Sequence, residues 1–377
     1  MPQGSERARR RNPCRRGAGP MSALGPGSTI GILGGGQLGR MLAMAAARLG
    51  YRTLVLDPNK ESPAFQVANE AIVAAYDDLR ALAQLTSHSD VVTYEFENVP
   101  VAPARQAIVE ADLFPPPEAL EVAQDRVVEK AFLNGIGIET APWRAIDSVE
   151  ELGHALIDIG TDCILKTRRF GYDGKGQASI RKEGPVADAY ESLGSKPSIL
   201  EGKVPFAYEA SLIAARGKDG SVACYDPADN EHSLGILRRS TVPGRVTPLV
   251  SERMVETGGK ILEKLNYVGV VGVEFFVRDD ETILVNELAP RVHNSGHWTE
   301  AACAISQFEQ HIRAISGLPL GDPKRHSDCV MENLIGNEIK KIETLAGESD
   351  VVLHHYGKID VRAGRKMGHF TRLKRLS

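Results

Sequence analysis

The chain has only five cysteines in 377 residues, Cys14, Cys163, Cys224, Cys303 and Cys329, with neither a Cys-x-x-Cys nor a Cys/His pair at zinc-ligand spacing. That scarcity excludes a disulfide-stapled scaffold and a structural zinc, and fits isolated reduced thiols of a cytoplasmic protein. An excess of one charge is lacking too. A formal net charge of -4 gives no general attraction to nucleic acid or to an anionic membrane, so any phosphate must be met by local cations. Long apolar runs are absent: the best stretch, residues 268–277, is broken by Gly269, Gly272 and Glu274, far short of the ~18 residues that cross a bilayer. Neither nucleic acid nor a membrane is expected as a partner. What is present, 42% hydrophobic and 25% charged residues, is ordinary globular composition, and the length suggests two or three domains.

Residues 1–20 carry six arginines and almost no large apolar side chain, so they cannot bury enough surface to offset the entropy of ordering. A disordered basic arm over 1–28 is expected, with Met21 as an alternative start. From residue 29 the rhythm is β-α-β. An apolar strand at 29–33 runs into Gly34-Gly-Gly-Gln-Leu-Gly39 and an Ala/Met-rich helix at 40–49. Strands at 53–57, 71–75 and 91–94, with a crossover helix at 78–87, complete an open parallel sheet that Pro115-Pro116-Pro117 closes. Beyond it a helix is expected over 118–134, then strands at 163–166, 198–201, 208–214 and 221–225, joined by turns short enough for antiparallel pairing. A hairpin pairs 271–277 with 282–286, a helix spans 298–317, and short strands with a basic turn at Arg362 to Lys366 occupy 353–370.

Chemistry concentrates in residues 285–297, where Asn286, Glu287, Arg291, His293, Asn294 and His297 crowd together and Glu274 lies on the preceding strand. A surface strand has no use for so dense a mixture, and a buried one would not tolerate it without partners, so the segment reads as an active site. If the four-residue hairpin loop closes symmetrically, Glu274 faces Val285 and Glu287 becomes its diagonal neighbour, roughly 7–8 Å away. Two such carboxylates, with Asn286, suit Mg²⁺ bound jointly with substrate phosphates. Residues 166–177 combine three glycines with four cations, the make-up of a flap that folds over a polyphosphate, although the segment is not a Walker A loop. Gly34-x-Gly36-x-x-Gly39, with Asp57 ending the next strand, satisfies a dinucleotide fingerprint and on its own suggests an NAD-binding oxidoreductase. The loop needs only an anion at a helix N-terminus, so a substrate monophosphate fits as well, with Gln37 suited to a polar contact.

Several strings between residues 29 and 370 match a known family. They are Gly-Gly-Gly-Gln-Leu-Gly-Arg-Met (34–41), Tyr-Glu-Phe-Glu-Asn (94–98), Gln-Asp-Arg (124–126) and Gly-Tyr-Asp-Gly-Lys-Gly-Gln (171–177), followed by Asn-Glu-Leu-Ala-Pro-Arg-Val-His-Asn-Ser-Gly-His-Trp (286–298), Ser-Gln-Phe-Glu (306–309) and Gly-Arg-Lys-Met-Gly-His (364–369). With them the chain resembles the N5-carboxyaminoimidazole ribonucleotide synthetases, ATP-dependent carbon-nitrogen ligases of purine biosynthesis with the ATP-grasp fold. The resemblance implies a mixed α/β and α+β chain: a Rossmann-like pre-ATP-grasp domain over 29–118, an ATP-grasp domain over 119–318 and a small C-terminal domain over 319–377. It also implies ATP and Mg²⁺, 5-aminoimidazole ribonucleotide and bicarbonate as substrates, carboxyphosphate as intermediate, and a cytoplasmic homodimer.

By the same resemblance the ATP side comprises Arg126, Lys166, the flap residues Gly171, Tyr172, Asp173, Gly174, Lys175, Gly176 and Gln177, then Glu201, Gly202, Lys203, Val204, Glu209, His232 and Asn286, with Glu274 and Glu287 as metal ligands. Gln37, Leu38, Asn294, Ser295, Lys358, Arg365 and Lys366 fall on the ribonucleotide side. Tyr172, Asp173, Lys175, Arg291 and His293 are the catalytic candidates. Arg291 suits a bidentate hold on bicarbonate, while Tyr172, Asp173 and His293 are all able to move protons, a choice the sequence leaves open. Two positions depart from the family pattern: Ala363 where proline is common before Gly-Arg-Lys, and Leu234 where a polar or acidic residue is usual before Gly-Ile-Leu. The nearest alternative is another ATP-grasp ligase, such as the formate-dependent glycinamide ribonucleotide transformylase. The NAD reading leaves the flap and the glutamate pair unexplained.

Overall fold

The structure is a computed structural model that describes residues 23–107, 111–171, 176–180 and 186–376. The expected basic arm falls outside these residues up to position 22, and so do Tyr172, Asp173, Gly174 and Lys175 of the flap.

The first sheet has five parallel strands in the order Glu70–Val73, Arg52–Asp57, Thr29–Leu33, Val91–Tyr94 and Asp112–Leu113. Its central strands are apolar on both faces and almost wholly buried, as a parallel sheet covered by helices requires. The order reverses at Thr29–Leu33, and the crevice this opens receives the N-terminus of the helix Gln37–Arg48. The crossover helix Leu79–Ser87 starts where Asp78 accepts from the N–H groups of Arg80 and Ala81.

The largest sheet is antiparallel and runs Ile283–Ala289, Gly269–Val277, Tyr208–Arg216, Ala228–Ser233, Ile236–Val242, Asp328–Ile335, Lys366–Lys374 and Val351–His355, with Val222–Cys224 beside Tyr208–Arg216. The C-terminal strands therefore share a sheet with the hairpin that carries Glu274 and Glu287. A third sheet, in the order Trp143–Ile146, Ser198–Gly202, Cys163–Thr167 and Gln177–Ile180, has its own core around Ile146, Leu152, Leu165 and Leu200.

Three local expectations are corrected. The helix expected over 118–134 is two, Pro117–Gln124 and Arg126–Gly135, because Asp125 is extended and its carboxylate caps the second helix at Val127 N. That carboxylate also takes the Arg168 guanidinium at 3.0 Å. The helix expected over 298–317 breaks likewise: Thr299–Ala302 ends at an extended Cys303, and Ser306 caps Gln307–Ser316 through Glu309 N. In the hairpin, a bulge between Glu274 and Phe275 pairs Phe275 with Val285 and Glu274 directly with Glu287. The extra residue is Asn286, and the two carboxylates stand opposite each other, closer than diagonal neighbours.

Candidate active site

All three sheets contribute to one cavity of about 430 Å³. Gln37 and Leu38 reach it from the first sheet's helix, Ile164, Lys166, Gly171 and Gln177 from the third sheet, and Glu209, His232, Glu274, Asn286, Glu287, Arg291, His293, Asn294 and Lys366 from the large one. A wider hollow of about 830 Å³ around residues 134–145 brings none of these side chains together.

At the centre, burial and the facing Glu287 carboxylate push Glu274 up to about 7. Arg126 meets Glu287 at 3.3 Å and also donates to the Gly171 carbonyl, while Glu274 lies 3.6 Å from His293 Nε2 and in the field of His232 and Lys366. Among the described residues, no group of three or more His, Cys, Asp or Glu side chains forms a ready metal cage. Two facing carboxylates beside open volume are the donor set of a cation that takes its remaining ligands from phosphate and water, as Mg²⁺ does.

One end of the cavity is cationic and deeply buried. Lys166 pairs with Glu201 at 2.9 Å, and Lys130, 1% exposed, donates to the Asn286 carbonyl at 2.6 Å. Burial alone would raise Glu201, but Lys166 and Lys130 hold it down to about 2. Glu129 goes the other way: burial pushes it up to about 8 against the pull of Lys130, and one of its oxygens accepts from Leu288 N at 2.6 Å. On the same side, Phe206 stacks on Phe276 with centroids 4.8 Å apart, giving the cavity an apolar wall. His232 Nδ1 donates to Glu209 at 2.9 Å, and despite the burial of the ring that carboxylate raises it.

The opposite end carries Arg291, whose Nε donates to Glu97 at 2.6 Å. Burial, then Arg291 and Lys366, lower His293 well below the usual imidazole range. Asn294 lines the cavity, and among the described residues neither atom of its buried amide has a hydrogen-bond partner. Lys358 donates to Gln37 Oε1 and to the Lys366 carbonyl, tying the first sheet's helix to the last strand. Ser295 and Arg365 do not line the cavity. The Ser295 hydroxyl is fully buried against Ser211 and His293, and Arg365 donates to the Asp360 carbonyl. Lys203 faces Asp162 at 3.7 Å, and Val204 packs with Ala141 and Leu284. Gly202 ends its strand, and Gly176 accepts from Thr167 N in a left-handed turn.

The glycine loop is filled from within. Gly35 N donates to Asp57 at 2.7 Å, and the N–H groups of Gly36 and Gly39 both donate to Glu95. Asp57 also accepts from Ser62 Oγ and Tyr76 Oη, so it is not free for a ribose. A Cβ at Gly36 would lie 2.5 Å from Glu95 Oε1, so glycine here admits the protein's own carboxylate instead of a pyrophosphate. The NAD reading loses its basis, and only Gln37 and Leu38 of the first turn face the cavity.

Three domain families match successive stretches: a ribonucleotide synthetase preATP-grasp domain over 28–124, an ATP-grasp domain over 131–308 and a phosphoribosylaminoimidazole carboxylase C-terminal domain over 329–375. The N5-carboxyaminoimidazole ribonucleotide synthase of Brucella melitensis is 59% identical over 94% of this chain and 98% of that one. The chain belongs to the N5-carboxyaminoimidazole ribonucleotide synthase family. Its fold superposes on a solved ADP complex of an N5-carboxyaminoimidazole ribonucleotide synthetase with a TM-score of 0.91, at 42% identity and 94% coverage of both chains. An Aspergillus clavatus N5-carboxyaminoimidazole synthase, solved with ADP and 5-aminoimidazole ribonucleotide, gives 0.84 at 28% identity, covering 93% of this chain and 94% of that one.

Within this synthase-family chain, several residues in and beneath the cavity wall escaped the sequence reading. Glu97 stands in the quoted Tyr-Glu-Phe-Glu-Asn string, and its spacing from Glu95 was the available signal. Lys130 and Glu129 follow Arg126 on one helix, and their burial had no sequence signature. Gln124, from the Gln-Asp-Arg string, donates to the carbonyls of Glu97 and Val99 and so fixes the loop that carries Glu97.

Proposed function

We propose that this cavity carries out the ATP- and bicarbonate-dependent carboxylation of 5-aminoimidazole ribonucleotide to N5-carboxyaminoimidazole ribonucleotide, in purine biosynthesis. One observation carries the reading: the facing Glu274 and Glu287 divide the cavity between a cationic end, Lys166 and Arg126, and a second end with Arg291, His293, Asn294 and Lys366. ATP occupies the first, with Phe206 and Phe276 as its apolar wall, and the ribonucleotide and bicarbonate occupy the second. Glu274 and Glu287 would hold Mg²⁺, which when bound supplies charge neutralisation at the transferring phosphate.

The chain's own groups do the rest by position and charge. Lys166 and Arg126 draw the terminal phosphates toward the two carboxylates; an oxygen of bicarbonate, held by Arg291, attacks the γ-phosphorus in line as its bond to the bridging oxygen breaks and ADP leaves, and the exocyclic amine then displaces phosphate from the carboxyl carbon of the resulting carboxyphosphate, losing a proton. Glu97 fixes the Arg291 guanidinium through Nε, which leaves the terminal nitrogens directed by a rigid anchor. Carboxyphosphate hydrolyses readily, so the segment 166–177, with Tyr172, Asp173 and Lys175, has to exclude water while the exocyclic amine approaches. The unpaired amide of Asn294 offers both a donor and an acceptor to the ribonucleotide. The Aspergillus clavatus complex with ADP and 5-aminoimidazole ribonucleotide supports the two-ended reading. A cytoplasmic homodimer belongs to the same proposal.

The test is ADP release by the purified protein with ATP and Mg²⁺. Release that needs both 5-aminoimidazole ribonucleotide and bicarbonate supports the assignment. Release driven by glycinamide ribonucleotide and formate, and flat with the imidazole, replaces it with the transformylase.

A further inference from the structure

His293 ends a buried polar chain that crosses the large sheet. Ser240 Oγ donates to Asn230 Oδ1 at 2.7 Å, Asn230 Nδ2 to Ser211 Oγ at 2.8 Å, and Ser211 Oγ to Ser295 Oγ at 2.7 Å. Ser295 Oγ lies 2.9 Å from His293 Nδ1. None of Ser240, Asn230, Ser211 and Ser295 is more than 3% exposed. Three polar side chains in the middle of a sheet, with Ser295 on the turn Asn294–Gly296 packed against them, are costly to bury unless each is matched, and here each is matched by the next.

The chain has a direction. A serine hydroxyl has one proton: Ser211 gives its own to Ser295, which leaves the Ser295 proton for His293 Nδ1. Turning the Asn230 amide over would reverse the hydroxyls, but a second donor breaks the symmetry. The main-chain N–H of Ser295, which can only donate, also points at Nδ1, at 3.4 Å. Nδ1 is therefore an acceptor, and the ring proton sits on Nε2, the nitrogen nearer Glu274. Gln307 fixes the backbone beneath the ring: its Oε1 accepts from His293 N at 2.9 Å and its Nε2 donates to His293 O at 2.7 Å.

We propose that Asn230, Ser211 and Ser295 are positioning residues that lock His293 in the Nε2–H tautomer, so that it meets the reacting anion as a hydrogen-bond donor. It follows that His293 does not take the proton from the exocyclic amine. The role in catalysis rests on the function proposed above, whereas the tautomer does not.

A long-range ¹H–¹⁵N spectrum of the full chain labelled with ¹⁵N-histidine, without substrates, reads the tautomer directly, with His293→Gln assigning the signals. The expected result is a proton on Nε2 and a bare Nδ1; a proton on Nδ1 overturns the proposal. Asn230→Asp, which can only accept, should draw the hydroxyls the other way and move the ring proton toward Nδ1. Ser211→Ala should lower kcat about ten- to hundredfold, the range seen when partners orienting a functional imidazole are lost, with KM for ATP unchanged. An unchanged spectrum in Asn230→Asp, or an unchanged kcat in Ser211→Ala, counts against the chain. The wild-type spectrum decides even if neither variant folds, and inactivity toward 5-aminoimidazole ribonucleotide would sink the proposed function without touching the tautomer.

Discussion

The glycine loop at 34–39 and the hairpin at 269–289 place charge against backbone in opposite ways. In the loop, backbone N–H groups at a helix start are met by Asp57 and Glu95, two carboxylates of the same domain. In the hairpin, two carboxylates face each other; among the described residues Arg126 lies against Glu287 and the His293 ring against Glu274, with His232 and Lys366 also in their field, and burial with mutual repulsion still raises Glu274. The first region is electrostatically finished and the second is not. A motif that advertises an anion site is thus structural, while under the proposed function the unbalanced pair would receive a cation together with phosphates.

The hardest blow to this contrast is Glu287→Gln. It should lower ADP formation by at least about 10²-fold, since neutralising a transferring phosphate is the largest task asked of the site. Folding should persist, because the change relieves repulsion with Glu274; turnover measured beside far-ultraviolet circular dichroism checks both. Glu95→Ala should do the reverse. Removing a buried carboxylate that accepts two N–H bonds costs about 2–4 kcal/mol of stability, seen as a lower Tm, and should create no nucleotide site at the loop.

Glu129 and Glu201 sharpen the contrast through pH. Glu129 is raised from 4.5 to about 8, so the native state holds its proton more tightly, and stability falls as pH rises through that window. Glu201 is lowered to about 2, so its contribution is complete above 4.5 and is lost as pH falls toward 2. In thermal melts of the ligand-free protein between pH 5 and 8, Glu129→Gln should therefore gain stability relative to the wild type as pH rises, because the wild type alone has to release or retain that buried proton. A difference between the two proteins that does not change with pH would contradict the raised Glu129.

The smallest effect is expected at Leu234. It sits at φ 53° with Gly235 at 76°, a two-residue turn between Ala228–Ser233 and Ile236–Val242, and is 94% exposed. Both turn positions favour Asn or Gly, so Leu234→Asn should add about 0.5–1 kcal/mol in a denaturant titration and leave turnover unaltered.

The parallel sheet was legible because its strands are short, apolar and punctuated by glycine and Asp78. The residues of the site were legible as types, since Glu274, Glu287, Arg291 and His293 have no use on a plain strand. Three things were hidden. Asp125 and Ser306 break helices by capping, which competes with a continuous apolar stripe and wins through hydrogen bonds to N–H groups. The bulge at Asn286 turned diagonal carboxylates into facing ones, because register depends on one residue that alternation does not reveal. Glu95 reaches the glycine loop from 56 residues away, a contact that no local pattern announces.

We infer that Glu274 and Glu287 complete an adenine nucleotide site only with a divalent cation. Titration calorimetry with ADP, in the presence and absence of Mg²⁺, tests it most directly. Binding by the wild type should depend on Mg²⁺, and Glu274→Gln should lose that dependence along with most of the affinity. Equal affinity with and without the metal, or an unaltered titration in the variant, would contradict the account.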